Sequence, residues 1–337
     1  MTPRLVGEAD GAPVHEAVLR SRAGAEARLL TYGAILRDLV VPARDGLRRV
    51  VLGFERPEDY RAHADAYLGV IAGRYANRIA HGAFTLDGAT HRIAANDGPH
   101  ALHGGPGGFG ERVWTLAAAS EDAITLTLLS PDGDNGFPGT LAVACTYRLL
   151  EPATLRIELA AVTDRATPVG LCHHSYFNLA GGPTILDHRL AVAADFYTPA
   201  DESLIPTGEI RAVAGTPYDF RAERPVGATP HVPLDVNFVL RRAGLAPGTP
   251  AEAARLVAPD GLALTVRTTE PGLQVYDGGK LALPVPGLAG ASYGPHAGIC
   301  LEPQLFPDGP NRSHFPDPIL RPGAVYRQVT EYRFAAA

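Results

Sequence analysis

With 337 residues and 46% hydrophobic side chains, the chain has ample apolar material for a large core, and large all-β folds often run to this length as one unit. Its formal net charge is -6, it has no basic run and Lys280 is its sole lysine, so nothing points to nucleic-acid or anionic-membrane binding. Three dispersed cysteines, Cys145, Cys172 and Cys300, argue against a disulfide framework and lack a Cys-x2-Cys zinc spacing.

The opening residues lack the basic start and apolar stretch of a signal peptide, and no apolar run is long enough for a membrane helix. A reduced, cytoplasmic location is therefore expected. The first turn signal is Asp45-Gly46, which tolerates the positive φ angles of a tight hairpin; Asp87-Gly88 and Asp260-Gly261 repeat it further on. The stretch from Pro57 to Tyr67 is the best helical candidate, and it is short. With 37 glycines and 30 prolines, long helices have little room. Strand patterns dominate instead. Ile124, Leu126 and Leu128 alternate with Thr125 and Thr127. Leu141, Val143, Cys145, Tyr147 and Leu149 keep the same period of two, as do Leu155, Ile157 and Leu159, and later Leu262, Leu264 and Val266. Successive strand side chains point to opposite faces, so each run offers one apolar face to a core. The residues from Ala243 to Ala254 read as a surface connection. The βαβ alternation of a dinucleotide-binding fold, internal repeats and a clean linker are all missing. The pattern predicts an all-β chain forming one domain over residues 1–337, a large antiparallel β-sandwich.

Segments 73–84, 96–114, 131–139, 170–182 and 301–318 break the alternation and are rich in Gly, Pro, His, Asn and aromatics. Loops of that kind on a rigid β scaffold commonly carry sites. The first holds Gly73-Arg74-Tyr75-Ala76-Asn77-Arg78-Ile79, an amide and two guanidiniums able to hydrogen-bond sugar hydroxyls with planar geometry; the plainer alternative is ion pairing at a sheet edge. The second holds His100-Ala101-Leu102-His103-Gly104-Gly105, whose glycine pair lets the backbone bend around a ligand. Its His-x2-His spacing suits a metal, but no third ligand lies nearby. In Cys172-His173-His174-Ser175-Tyr176-Phe177-Asn178-Leu179, a strand places His174 and Tyr176 on one face and His173 and Ser175 on the other. Adjacent residues point apart, so Cys172 and His173 make a poor nucleophile pair, and Cys172 reads as core. Finally, Glu302 ends the apolar run Gly298-Ile299-Cys300-Leu301. A carboxylate buried there needs a partner or a purpose.

Together these stretches resemble the galactose mutarotase family of aldose 1-epimerases. The resemblance rests on Gly-Arg-x-Ala-Asn-Arg-Ile at 73–79, Leu-His-Gly-Gly at 102–105, His-Ser-Tyr-Phe-Asn-Leu at 174–179, Leu-Asp-x-Asn-Phe at 234–238, Gly-Leu-Gln-Val-Tyr at 272–276, and Leu-Glu-x-Gln with Pro-Asp-x-x-Asn at 301–311. The motifs run in order over most of the chain. The resemblance implies the galactose mutarotase-like supersandwich, a free aldose sugar as the small-molecule partner, no cofactor and no metal, and a monomer or homodimer. It implies Glu302 as general base and His174 as general acid. It implies Asn77, Arg78, His103, Tyr176, Asp235 and Gln274 as sugar ligands, with Arg74 ranked below them. Three positions depart from the family pattern: Pro303 follows the glutamate where threonine is common, Val236 replaces a polar residue, and Asp277-Gly278-Gly279 stands for Thr-Gly-Asn. All three are expected near the pocket.

Mutarotation requires two proton transfers: removal of the C1 hydroxyl proton and delivery of a proton to the ring oxygen, reversed after the C1–C2 bond rotates. A carboxylate and an imidazole are suited to these tasks, and they are expected on opposite sides of the anomeric carbon. A sugar sensor on the same scaffold would need the hydroxyl ligands but no acid–base pair. A sugar-phosphate epimerase would need an arginine cluster beyond Arg74 and Arg78. A metal-dependent hydrolase would have to use His100, His103, His173 and His174.

Overall fold

The computed structural model describes residues 3–228, 232–246 and 248–336. Three sheets dominate, and their strands pair antiparallel throughout. A five-stranded meander runs in chain order from Arg4–Ala9 to Gly46–Arg49. A nine-stranded sheet begins with Thr115–Ala119, Ala123–Ser130, Leu141–Leu150 and Thr154–Thr163. It continues through Tyr326–Ala336 to Leu262–Thr268, Ala251–Val257, Arg189–Val192 and Arg224–Pro225. A six-stranded sheet has the order Tyr176–Phe177, Ile299–Gln304, Gly272–Tyr276, Asp235–Leu240, Ala194–Thr198 and Arg211–Ala212.

The period-two runs form strands as expected. In Leu141–Leu150, Leu141, Val143, Cys145, Tyr147 and Leu149 are all buried. The largest apolar cluster draws on all three sheets, for example Leu29, Ile157 and Leu273. Polar ties join the layers where aromatic side chains cross. Phe177 packs on Tyr332 with ring centroids 4.9 Å apart, and the Tyr332 hydroxyl donates to the Leu301 carbonyl at 3.1 Å. The Tyr147 hydroxyl donates to the Ala34 carbonyl at 2.7 Å, linking the nine-stranded sheet to the N-terminal meander.

Each Asp-Gly signal closes a hairpin. At Asp87-Gly88 both residues have positive φ, 48° and 82°, the geometry whose twist matches paired strands. The helical candidate yields a helix over Pro57–Ala62 and one 3-10 turn over Ala64–Ala66. The expected surface connection at 243–254 is shorter than its composition implied. A strand begins at Ala251, and Ala253 and Ala254 are buried in the nine-stranded sheet. Alanine carries little strand signal, so burial there is invisible to a pattern reading. Pro247 within that segment lies outside the described residues.

Two loops meet at the site end of the sandwich. Arg78–Ile79 pairs with Ala101–Leu102, and His103 N–H donates to the Asn77 carbonyl at 3.1 Å. Gly104 makes the approach possible: its φ is +93°, and a Cβ there would sit 2.1 Å from the Gly73 carbonyl oxygen. Gly104→Ala is expected to lower stability by about 1–3 kcal/mol, the usual cost of a strained backbone position. Thermal unfolding of the two proteins checks this, and an unchanged midpoint would mean that the loops do not meet here.

Candidate active site

The register of three adjacent strands builds the floor of the site. Glu302 pairs with Gln274, and Gln274 with Asn237. The next row on the same face pairs Tyr176 with Cys300, Cys300 with Tyr276, and Tyr276 with Asp235. Alternation sends Ile299 and Leu301 to the apolar core and turns Cys300 and Glu302 the other way. Above this floor lies a cavity of about 260 Å³, lined by Glu302, His174, His103, Asn77, Arg78 and Tyr176, with Asp235 and Gln274 at one side. The eight higher-ranked site residues expected from the sequence therefore converge on one cavity.

His174 reaches the cavity from a break between the short strands Cys172–His173 and Tyr176–Phe177, where its N–H donates to the Val70 carbonyl at 2.9 Å. His174 Nε2 stands 3.6 Å from Glu302 Oε2. From the sequence the two are expected to flank the anomeric carbon from opposite sides, and a 3.6 Å separation leaves no room for a carbon between them. They stand side by side, an arrangement that suits two oxygens bonded to the same carbon. Each has a buried thiol behind it: Cys172 Sγ lies 3.5 Å from Glu302 Oε2, and Cys300 Sγ lies 3.6 Å from His174 Nδ1. Burial pushes both thiols well above their ordinary pKa, so they stay protonated. Cys300 Sγ and His174 Nδ1 are within hydrogen-bond reach, the donor being set by the histidine tautomer.

Burial also governs the pair itself. It raises the Glu302 carboxyl to about 8, with a further upward push from Asp235. It lowers His174 to about 4. Between those values the pair holds one proton in all, whichever partner carries it. His103 is likewise held neutral by burial. Its Nδ1 accepts the Asn77 N–H at 3.2 Å, which places its own N–H on Nε2. Asn77 Oδ1 accepts the Arg78 N–H at 2.8 Å, which leaves the amide NH2 of Asn77 to donate. Arg78 is steadied by Asp97, Nε to Oδ2 at 2.7 Å. Gln274 Nε2 donates to Asp235 Oδ1 at 2.7 Å, and Gln274 Oε1 has no partner among the described residues. The cavity thus sets a buried carboxyl–imidazole pair among fixed donors and acceptors, a lining suited to a polyhydroxylated molecule.

Arg74 corrects the sequence reading. It is 2% exposed, and its guanidinium points away from the cavity. It donates to the carbonyls of Pro138 and Gly139 at 2.9 Å each and to Ser130 Oγ at 2.6 Å. It pins one loop to another. The motif places two arginines four residues apart, and nothing local tells which side of the loop each takes. Of the three departures, Val236 and Asp277 line a larger adjoining cavity of about 670 Å³. Pro303 lines neither cavity; it lies on the far face, its carbonyl accepting from Gln328 Nε2 at 2.9 Å. Sequence reasoning missed Tyr67, whose ring lies 4.5 Å from that of His103 and 5.8 Å from that of His174. It stands alone after the short helix, outside any motif. Tyr276 also lines both cavities, and it was within reach as the last residue of Gly-Leu-Gln-Val-Tyr.

His100 and His103 do not form a metal pair: His100 Nδ1 accepts the His81 N–H at 3.0 Å, and His103 Nδ1 is taken by Asn77. No described helix is long and apolar enough to cross a membrane.

Known proteins resemble this chain over most of its length. The family model for aldose 1-epimerase matches residues 16–333. The chain is 41% identical over 321 residues to galactose mutarotase of Bos taurus, covering 92% of this chain and 91% of that protein. It is 37% identical over 347 residues to aldose 1-epimerase of Escherichia coli K12, covering 99% of each. Among solved structures, an aldose epimerase homologue from Caenorhabditis elegans superposes with a TM-score of 0.89 at 31% identity, over 96% of this chain and 99% of that one. Galactose 1-epimerase from Lactobacillus acidophilus gives 0.84 at 29% identity, over 100% and 98%. The chain shares its fold with these structures and belongs to the aldose 1-epimerase family.

Proposed function

We propose that the protein interconverts the α and β anomers of free aldoses such as galactose and glucose, in a cytoplasmic role in hexose metabolism, with Glu302 and His174 moving the protons. The observation that carries this reading is the 3.6 Å separation of His174 Nε2 and Glu302 Oε2 inside a lining of hydroxyl-binding groups. The C1 hydroxyl and the ring oxygen share one carbon, so one group meets each. Glu302 takes the C1 hydroxyl proton while His174 delivers its proton to the ring oxygen. The C1–O bond to the ring breaks, the aldehyde forms, and rotation about C1–C2 presents its other face. The C5 hydroxyl then attacks, returning its proton to His174 as Glu302 protonates the new C1 oxygen. The residues end as they began, and no electron leaves the sugar.

The environment favours the middle of this cycle. Ring opening converts a charged carboxylate and imidazolium into a neutral acid and a neutral imidazole. The burial that raises Glu302 and lowers His174 stabilises that neutral arrangement. The side-by-side placement lets the charged form keep its mutual attraction. His103 Nε2–H, Asn77 and Arg78 supply donors to sugar oxygens, and Asp235 accepts from hydroxyls remote from C1. A sugar sensor would bind through the same donors but would have no use for a proton-sharing pair at the reacting carbon.

Glu302→Gln and His174→Asn are each expected to lower kcat by about 10²–10⁴-fold, the usual contribution of one positioned acid or base. Polarimetry on freshly dissolved α-galactose and α-glucose reads the rate above the spontaneous one, and circular dichroism checks the fold. A variant that folds and keeps the wild-type rate removes its residue from the mechanism.

The pH dependence of kcat/KM is expected to be bell-shaped with limbs near 4 and 8. Below the lower limb both groups are protonated and no base is left; above the upper limb both have lost their protons and no acid is left. After subtraction of the spontaneous rate, a profile that falls neither below about pH 4 nor above about pH 8 would rule out a single shared proton.

A further inference from the structure

The catalytic cavity opens into a second cavity more than twice its size, about 670 Å³ against 260 Å³. The two share Asn77, Arg78, Asp235, Gln274, Tyr276 and Lys280, so they merge at the side away from His174 and Glu302, neither of which lines the larger one. Part of the larger wall is apolar: Tyr197 and Tyr218 lie with ring centroids 4.9 Å apart, beside Pro199, Leu204 and Pro206.

The charges on that wall are almost all satisfied. Arg78 holds Asp97 at 2.7 Å, and Arg211 holds Glu209 at 2.6 Å. His296 lies 3.7 Å from Asp277. Asp201 accepts the N–H groups of Ser203 and Ile205 at 2.9 and 3.1 Å, and Asp235 accepts from Gln274. The exception is Lys280. Its ammonium makes no hydrogen bond or ion pair with any described residue, and at longer range its charge acts on the Asp235 carboxylate. Its backbone N–H donates to the Tyr276 hydroxyl at 3.1 Å, which fixes the base of the side chain at the junction. It is the only lysine in the chain, beside arginines that are mostly paired. Asp65 is exposed on the catalytic cavity alone and does not line the larger one.

A sugar whose two C1 oxygens meet Glu302 and His174 extends past Asp235 and Gln274 towards Lys280, which lines both cavities. We propose that Lys280 makes the site select aldoses that carry a carboxylate at the end remote from C1, the hexuronic acids. The inference rests on the anomer-exchange reading of the same site. A single ammonium matches the single charge of a carboxylate. A phosphate dianion calls for several guanidinium or ammonium donors at once; Arg211 already holds Glu209, and the donors that Arg78 has beyond its bond to Asp97 serve the sugar oxygens nearer C1. The contact is solvent-accessible, so its effect is modest and falls with added salt.

The test measures kcat/KM for α-galacturonate and α-galactose, with α-glucose 6-phosphate as a third substrate, on wild type and Lys280→Met. Lys280→Met is expected to lower the value for galacturonate by about 3- to 10-fold while galactose changes less than about 2-fold. Raising the ionic strength should narrow the galacturonate difference between the two proteins. Equal losses on both sugars, or no loss on either, would overturn the role of Lys280. A larger loss on the phosphate ester than on the uronate would also overturn it, by identifying a dianion site. Failure of the wild type to speed the equilibration of galactose would instead remove the anomer-exchange reading itself.

Discussion

The site depends above all on the antiparallel register of Asp235–Leu240, Gly272–Tyr276 and Ile299–Gln304. One slip of a residue in any pair would turn every side chain of that strand to the opposite face. Glu302 would then point into the apolar core and Leu301 into the cavity. The register is held from below, since Leu273, Val275, Ile299 and Leu301 are wholly buried against the nine-stranded sheet. The hydrophobic packing of one face thus specifies the polar arrangement of the other. The loops at 73–78 and 100–105 only have to cover a floor that is already set.

Burial performs two tasks at this floor. It makes an ionised Glu302 and an ionised His174 expensive, moving their proton affinities in opposite directions until one proton serves both. It also keeps Cys172 and Cys300 as neutral thiols, weak donors that steady the pair without adding charge. A group of three ligand-type atoms, from His174, Cys300 and Glu302, lies within 4.8 Å here, and the proposed proton transfer draws on the same closeness.

Much of this was legible in the sequence because it is periodic or carried by motifs. The alternating runs gave the strands, and the Asp-Gly pairs gave their hairpins. Glu302 stood out as a carboxylate in an apolar run, and the ordered motifs brought His103, His174, Asp235 and Gln274 together. What escaped was whatever depends on direction in three dimensions. Arg74 and Arg78 look equivalent in a motif, yet one pins a loop and the other lines the cavity. Ala253 and Ala254 are core residues with no distinctive chemistry. Tyr67 and Lys280 reach the site from segments whose local composition says nothing about it. The side-by-side placement of Glu302 and His174 follows from neighbouring positions across the sheet, which no linear spacing records.

The place of Tyr326–Ala336 in the nine-stranded sheet has a consequence for biogenesis. It lies between Thr154–Thr163 and Leu262–Thr268, so it joins the two halves of the sheet although it is the last of the nine to be synthesised. Until it emerges from the ribosome, both halves present an unpaired inner edge rich in apolar side chains. Such edges are templates for pairing with other chains. Folding of this sheet therefore waits on the strand that comes last of its nine in chain order, and nascent chains stalled before residue 326 are the species most in need of a chaperone.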